Sequence, residues 1–125
     1  MVLDDGLDEV EESTCFYIDA YVDGHLLGRT MVDSRAVTEL INPSVVKDLA
    51  LKTYDLEAGW FVRVADSQRI LITQFVIIQV VVSGIRTHLR AFVMALREAF
   101  DLLLSRHWMS RVRAIENHEH YTLTI

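Results

Sequence analysis

The stretch "TMVDSRAVTEL", Thr30 to Leu40, decides how the rest of the chain is read. Apolar Met31 and Val32 lead into Asp33, a hydroxyl residue follows, and Ala36 opens a second half-apolar run. An acid at the end of a strand, followed by small residues, reads as an acidic catalytic loop. Arg35 departs from that reading, because such a loop calls for glycine where backbone and ligand approach closely. Taken alone, Asp33 could equally be the acid of a surface turn, so the flanking segments have to decide.

Upstream, "CFYIDAYV" is aromatic and β-branched and puts Phe16, Ile18, Ala20 and Val22 on one face. Asp23-Gly24 is a strong two-residue hairpin signal, and "HLLGRTMV" returns as a second strand that ends at Asp33. Downstream, "VTELI" reads as a short strand. "NPSVVKDLAL" is the one clear helix start, with Asn42 as its cap, Pro43 at the first helical position and an apolar stripe at Val45, Val46 and Leu49.

"WFVRVADSQRILIT" reads as a hairpin whose strands meet at Ala65-Asp66-Ser67-Gln68. "QFVIIQVVV" is so nearly continuous in apolar residues that it is expected to be buried on both faces. Ser83-Gly84 turns it into "IRTHLRAFVM", where Arg86, His88 and Arg90 share one face by period two. "DLLL" is a short buried run, "SRHWMSRV" one or two helical turns, and "YTLTI" a closing strand with Tyr121, Leu123 and Ile125 on one side. Turns arriving roughly every eight to twelve residues imply a small all-β barrel or sandwich.

A length of 125 residues fits one domain. With 51% apolar and 24% charged residues the composition is globular. The net charge of -6 argues against a nucleic-acid partner bound by phosphate neutralisation. Asp4, Asp5, Asp8, Glu9, Glu11 and Glu12 crowd the start, so residues 1–14 are expected to form a mobile acidic arm and 15–125 the folded domain. Cys15 is the only cysteine, which leaves no internal disulfide and makes a reducing, cytoplasmic compartment the simpler expectation.

The acidic start lacks the apolar core of a secretory signal. The longest apolar stretch, "ILITQFVIIQVVV", is interrupted by Thr73, Gln74 and Gln79 and is too short for a membrane helix, so a soluble protein without a membrane partner is expected. His118 and His120 pair two imidazoles at strand spacing but lack a third ligand in register, so no metal is expected. There is no Gly-rich phosphate loop, and no cofactor is expected. Arg106, Arg111 and Arg113 read as a helix face, and Trp60 and Trp108 as core or interface residues.

The order of these parts resembles the retropepsin family, the aspartic proteases of retroviruses and gypsy-type retroelements, from about Phe16 to Ile125. The resemblance rests on "VDSRA" for the family's Val-Asp-Ser-Gly-Ala and "VADSQ" for Val-Ala-Asp-Gly at the flap tip. The third match is "DLLLSRHWM" for a pattern like Asp-Val-Ile-Leu-Gly-x-Asp-Trp-Leu. It implies a small closed β-barrel subunit with one main helix and a short C-terminal helix, homodimeric, with no cofactor. A single Asp-Ser-x-Ala loop is half a site, which Asp33 from two copies would complete at a two-fold axis. By the same resemblance Ser34 locks the two loops and Ala36 lines the pocket beside Arg35. Val64 to Arg69, including Ala65, Asp66 and Ser67, would form a flap over a peptide or polyprotein substrate. Arg106 either braces the loop or is a solvated helix residue.

Three positions where the family has glycine carry Arg35, Ser67 and Ser105. Arg35 puts a long cationic chain beside the acids, a cation that favours their ionised form over a shared proton. Ser67 is expected to stiffen the flap tip, and Ser105 to crowd the packing of the last helix. Each change lies one guanine-to-adenine step from a glycine codon, which fits a decayed retroelement copy. The leading expectation is therefore a retroelement-derived aspartic endopeptidase impaired by Arg35. The alternative is an inactive dimerisation or peptide-binding module with the same fold. An unrelated acidic adaptor barrel would require all three segment matches to be coincidence.

Overall fold

The structure, a computed structural model, describes residues 15–63, 69–96, 100–117 and 122–125. In chain order the elements are β1 (Cys15–Val22), β2 (His25–Asp33), β3 (Glu39–Ile41), α1 (Pro43–Asp48), β4 (Tyr54–Arg63) and β5 (Arg69–Val82). There follow β6 (Ile85–Val93), β7 (Leu102–Leu104), α2 (Arg106–Val112), β8 (Ile115–Asn117) and β9 (Thr122–Thr124). The large sheet runs β1-β2-β7-β3-β6-β5-β4, and β1 also pairs with β5. Six strands thereby close into a barrel, and β4 lies outside it on β5. The expected all-β barrel with two helices is what the chain forms.

Two tight turns set the barrel wall. Asp23 and Gly24 both take positive φ, 48° and 86°, as a type I′ turn requires, and β1 meets β2 with Val22 opposite His25. Ser83 and Gly84, at 50° and 80°, repeat the device between β5 and β6. Asp23 also grips β5: its N–H donates to the Gln79 carbonyl, and its Oδ1 accepts from the Gln79 N–H at 2.9 Å.

Strand parity then fills the interior. Ala20 and Val22 of β1 are fully buried, and Phe16 and Ile18 pack against the same core. On β6, Thr87, Leu89 and Ala91 point in while Arg86, His88 and Arg90 are exposed, as period two implies. For β5 the expectation of burial on both faces is wrong. Val76, Ile78, Val80 and Val82 point inward, but Ile77 is 55% exposed. A barrel wall has one interior, so residues of the other parity face out whatever their hydrophobicity.

One further expectation changes. Asn42 occupies the cap position of α1 but makes no side-chain cap bond. Its Nδ2 donates instead to the Phe100 carbonyl, and its Oδ1 accepts from the Leu96 N–H, tying the approach to β7 onto β3. The closing strand β9 forms as expected and pairs with β8, Thr124 opposite Ile115, with Leu123 and Ile125 packed on the core. Tyr121, His118, His120 and residues 1–14 lie outside the described residues. Trp108 is fully buried in the core, whereas Trp60 is half exposed and packs its ring 4.6 Å from that of Phe92. Among the described residues, no helix is long and apolar enough to cross a membrane.

The parity of β5 can be tested by a pair of substitutions. Ile78→Ala should cost about 2–5 kcal/mol through the cavity it leaves, whereas Ile77→Ala should stay below about 1 kcal/mol. Urea midpoints measure both; equal losses would mean that the outer face is covered.

Candidate active site

The site is built around a strand inserted between two others. β7 runs parallel to β2, with Thr30, Met31 and Val32 opposite Leu102, Leu103 and Leu104. It runs antiparallel to β3 on its other side, with Leu40 opposite Leu103. The chain leaving β2 at Asp33 must therefore cross the end of β7 to reach β3. At that crossing the Asp33 Oδ1 accepts the Arg35 N–H at 2.9 Å, an Asx turn. The Asp33 carbonyl accepts the Ala36 N–H at 3.1 Å, and the Ala36 carbonyl accepts the N–H of Arg106 at 3.0 Å. The loop is thus closed on itself and fastened to the first residue of α2. Arg106 itself is exposed, and it is its backbone that holds the loop.

Asp33 keeps 20% of its side chain exposed and Arg35 70%; the Arg35 Nε stands 3.7 Å from the same Oδ1 that holds the turn. An ion pair this open to water is weak, so the importance of Arg35 is steric and local. Its backbone is ordinary. Among the described residues only Asp23, Ala50, Ser83 and Arg113 combine a side chain with positive φ. Glycine is therefore not required at Arg35 or Ser105 for the chain to turn. Ser34 is half buried in the turn, and its hydroxyl makes no hydrogen bond among the described residues.

Glu39 is the residue that sequence reasoning missed. It is only 2% exposed, and its Oε2 accepts the Ser105 N–H at 3.2 Å, the Ser105 hydroxyl at 2.5 Å and the Trp108 N–H at 3.2 Å. His107 Nδ1 lies 3.5 Å from the other oxygen. The Ser105 hydroxyl in turn accepts the His107 N–H, capping α2. One buried carboxylate thus serves the N–H groups that a helix start leaves without intrahelical partners. The expectation that Ser105 crowds this helix is overturned: Ser105 is the cap. An acid leading directly into the apolar Leu40 and Ile41 in "TELI" was the available signal, since a buried charge demands such partners.

Ala36 also joins an apolar cluster of Met31, Leu40, Ile72, Phe92, Met94 and Leu103, separate from the barrel core. This wall lies between the Asp33 turn and the β4–β5 hairpin, whose strands still pair at Arg63 and Arg69. Arg69 lies over the Phe61 ring at 4.3 Å, and Phe61 and Leu71 are exposed. The flap-tip residues Ala65, Asp66 and Ser67 lie outside the described residues.

No family model and no curated protein matches the sequence. Solved structures do match the fold. The chain is similar to the retroviral protease-like domain of Ddi1 from Leishmania major, at 18% identity and a TM-score of 0.64, over 91% of this chain and 90% of that one. It is similar to EIAV protease complexed with the inhibitor HBY-793, at 13% identity and a TM-score of 0.66, over 86% and 95% of the two chains. A retropepsin-like aspartic protease from Rickettsia conorii matches at 20% identity and a TM-score of 0.52, over 78% of this chain and 71% of that one. The fold is retropepsin-like. At these identities the likeness concerns the fold, and the chemistry has to be argued from Asp33 and its surroundings.

Placing a glycine at position 105, as the retropepsin pattern has it, should harm the protein. Ser105→Gly removes the cap and one donor to a buried carboxylate, and it should lower unfolding stability by about 1–3 kcal/mol. A rise in the thermal midpoint would reinstate crowding.

Proposed function

We propose that residues 15–125 are a retroelement-derived aspartic endopeptidase subunit, in which Asp33 from two copies forms the catalytic pair and Arg35 suppresses turnover. The observation that carries this reading is the Asp33 turn. A partly exposed carboxyl stands at the end of a barrel strand, its loop closed at Ala36 and fastened to α2. Two such carboxyls sharing one proton would let one act as base on water while the other protonates the substrate carbonyl. In this reading the unengaged Ser34 hydroxyl locks the two loops across the two-fold axis. Ala36 and its apolar wall receive substrate side chains, and Ala65, Asp66 and Ser67 cover an extended peptide or polyprotein segment.

The second reading, an inactive module that dimerises or holds peptides, is favoured by the same turn. Both the N–H and the Nε of Arg35 converge on one Asp33 oxygen. A partner Asp33 or a substrate would have to displace that side chain. Arg35→Gly separates the two readings. The natural chain should cleave a diverse peptide library weakly or not at all, and Arg35→Gly should cleave it. Adding Asp33→Asn should abolish the gain, and the rescued activity should fall from mildly acidic to alkaline pH as the required proton is lost. Strong Asp33-dependent cleavage by the natural chain would remove the block. An Arg35→Gly dimer that cleaves nothing would favour the inactive module.

Assembly has its own test. β8 and β9 pair only with each other among the described residues, so their small sheet keeps outer edges for a partner. Sedimentation at micromolar concentration should show a dimer that weakens when residues 121–125 are removed. A strict monomer at high concentration would contradict the paired site.

A further inference from the structure

The outer face of β5–β6 carries unanswered positive charge. Arg86, His88 and Arg90 all point outward from β6, opposite Val81, Gln79 and the exposed Ile77 of β5. Arg111 of α2 reaches the margin of this face, donating from its guanidinium to the His88 carbonyl at 2.8 Å. The Arg90 guanidinium lies 5.4 Å and 5.3 Å from the ring centroids of Phe75 and Phe92. No Asp or Glu occurs between residues 69 and 96, and among the described residues no ion pair involves Arg86, His88 or Arg90. The result is an apolar floor with a cationic rim.

The complementary charge is in the chain itself. The first twelve residues hold six of the 18 acidic residues and no Lys or Arg, which leaves twelve acidic against twelve basic residues in the remainder. The whole formal charge of -6 therefore sits on the arm, interleaved with apolar Val2, Leu3, Leu7 and Val10. We propose that residues 1–14 dock intramolecularly across the outer face of β5–β6, acidic side chains against Arg86, His88 and Arg90 and apolar ones over Ile77 and Val81.

The geometry allows it. β1 starts at Cys15, and Tyr21 pairs with Val81, which pairs with Arg86. From Cys15, Arg86 is at most about 20 Å along the strand direction and two strand spacings, about 10 Å, across it. Arg90 lies four residues further on, at most about 35 Å from Cys15. Because β1 runs from Cys15 toward Tyr21, the arm has to turn back before Cys15; after a tight reversal at residues 12–15, an extended run would place Asp5 and Asp4 about 23–26 Å along the strand direction. That position is between the levels of Arg86 and Arg90, within reach of their long side chains. Each exposed pair contributes little and is screened by salt, so the clasp depends on several acting together. It is independent of the catalytic reading.

Paramagnetic broadening tests the proposal on the full chain. A nitroxide is attached at Val2→Cys in a Cys15→Ser background, and amide signals are followed by NMR. At low salt the Arg86, His88 and Arg90 amides should lose more than about half their intensity. They should recover near about 1 M salt, where the screening length is about 3 Å, and in the Arg86→Glu/Arg90→Glu variant. Unbroadened β6 amides at low salt would overturn the proposal. So would broadening that persists undiminished when the nitroxide is carried only by isotopically silent copies, since the arm would then act between chains. The unmodified chain supplies a second readout: amide shifts of residues 4–12 and 86–90 should move together as salt is raised. Arm shifts that move without those of β6 would also overturn it.

Discussion

The Glu39 carboxylate beneath the start of α2 is the contact on which the end of the barrel that carries the Asp33 turn depends. A charge buried to 2% exposure is costly unless donors surround it, and Ser105 and Trp108 supply them. The bond network couples three parts. β3 contributes the acid, the end of β7 contributes Ser105, and α2 contributes the Trp108 N–H while sending the Trp108 ring into the core. Arg106, between Ser105 and Trp108, fastens the Ala36 carbonyl. A disturbance at Glu39 would therefore reach the Asp33 turn through one residue of helix, without touching Asp33 directly.

How much of this the sequence discloses depends on the range of the interaction. Asp23-Gly24 and Ser83-Gly84 are local, because a type I′ turn needs two residues at positive φ and these pairs tolerate it. The Asp33 turn is equally local, since its bonds span two or three residues. The outward set Arg86, His88 and Arg90 was legible because polar and apolar residues alternate in β6. In β5 both parities are apolar, so the pattern that would tell inside from outside is absent and Ile77 was misplaced. The insertion of β7 between β2 and β3 brings together residues some 60 to 70 positions apart, and no local pattern announces it. Asn42, Ser105 and Glu39 all take their roles from that insertion, which is why a cap was expected at Asn42 and crowding at Ser105.

Ser105 and Arg35, at two positions where the retropepsin pattern has glycine, differ in physical meaning. Ser105 is absorbed into the fold as a helix cap and a donor to Glu39. Arg35 is accepted by the backbone, but its side chain stands beside the one acid that a peptidase would use. Folding and the proposed chemistry thus place separate demands on the same loop. A chain can satisfy the first while losing the second.

A crystal structure of the unaltered chain tests the pairing of two Asp33 loops most directly. The expected result is a two-fold dimer with the loops facing each other and the Arg35 guanidinium groups lying between the carboxylates. A dimer that buries another face and leaves both Asp33 loops open to solvent, or a chain that stays monomeric, would contradict it.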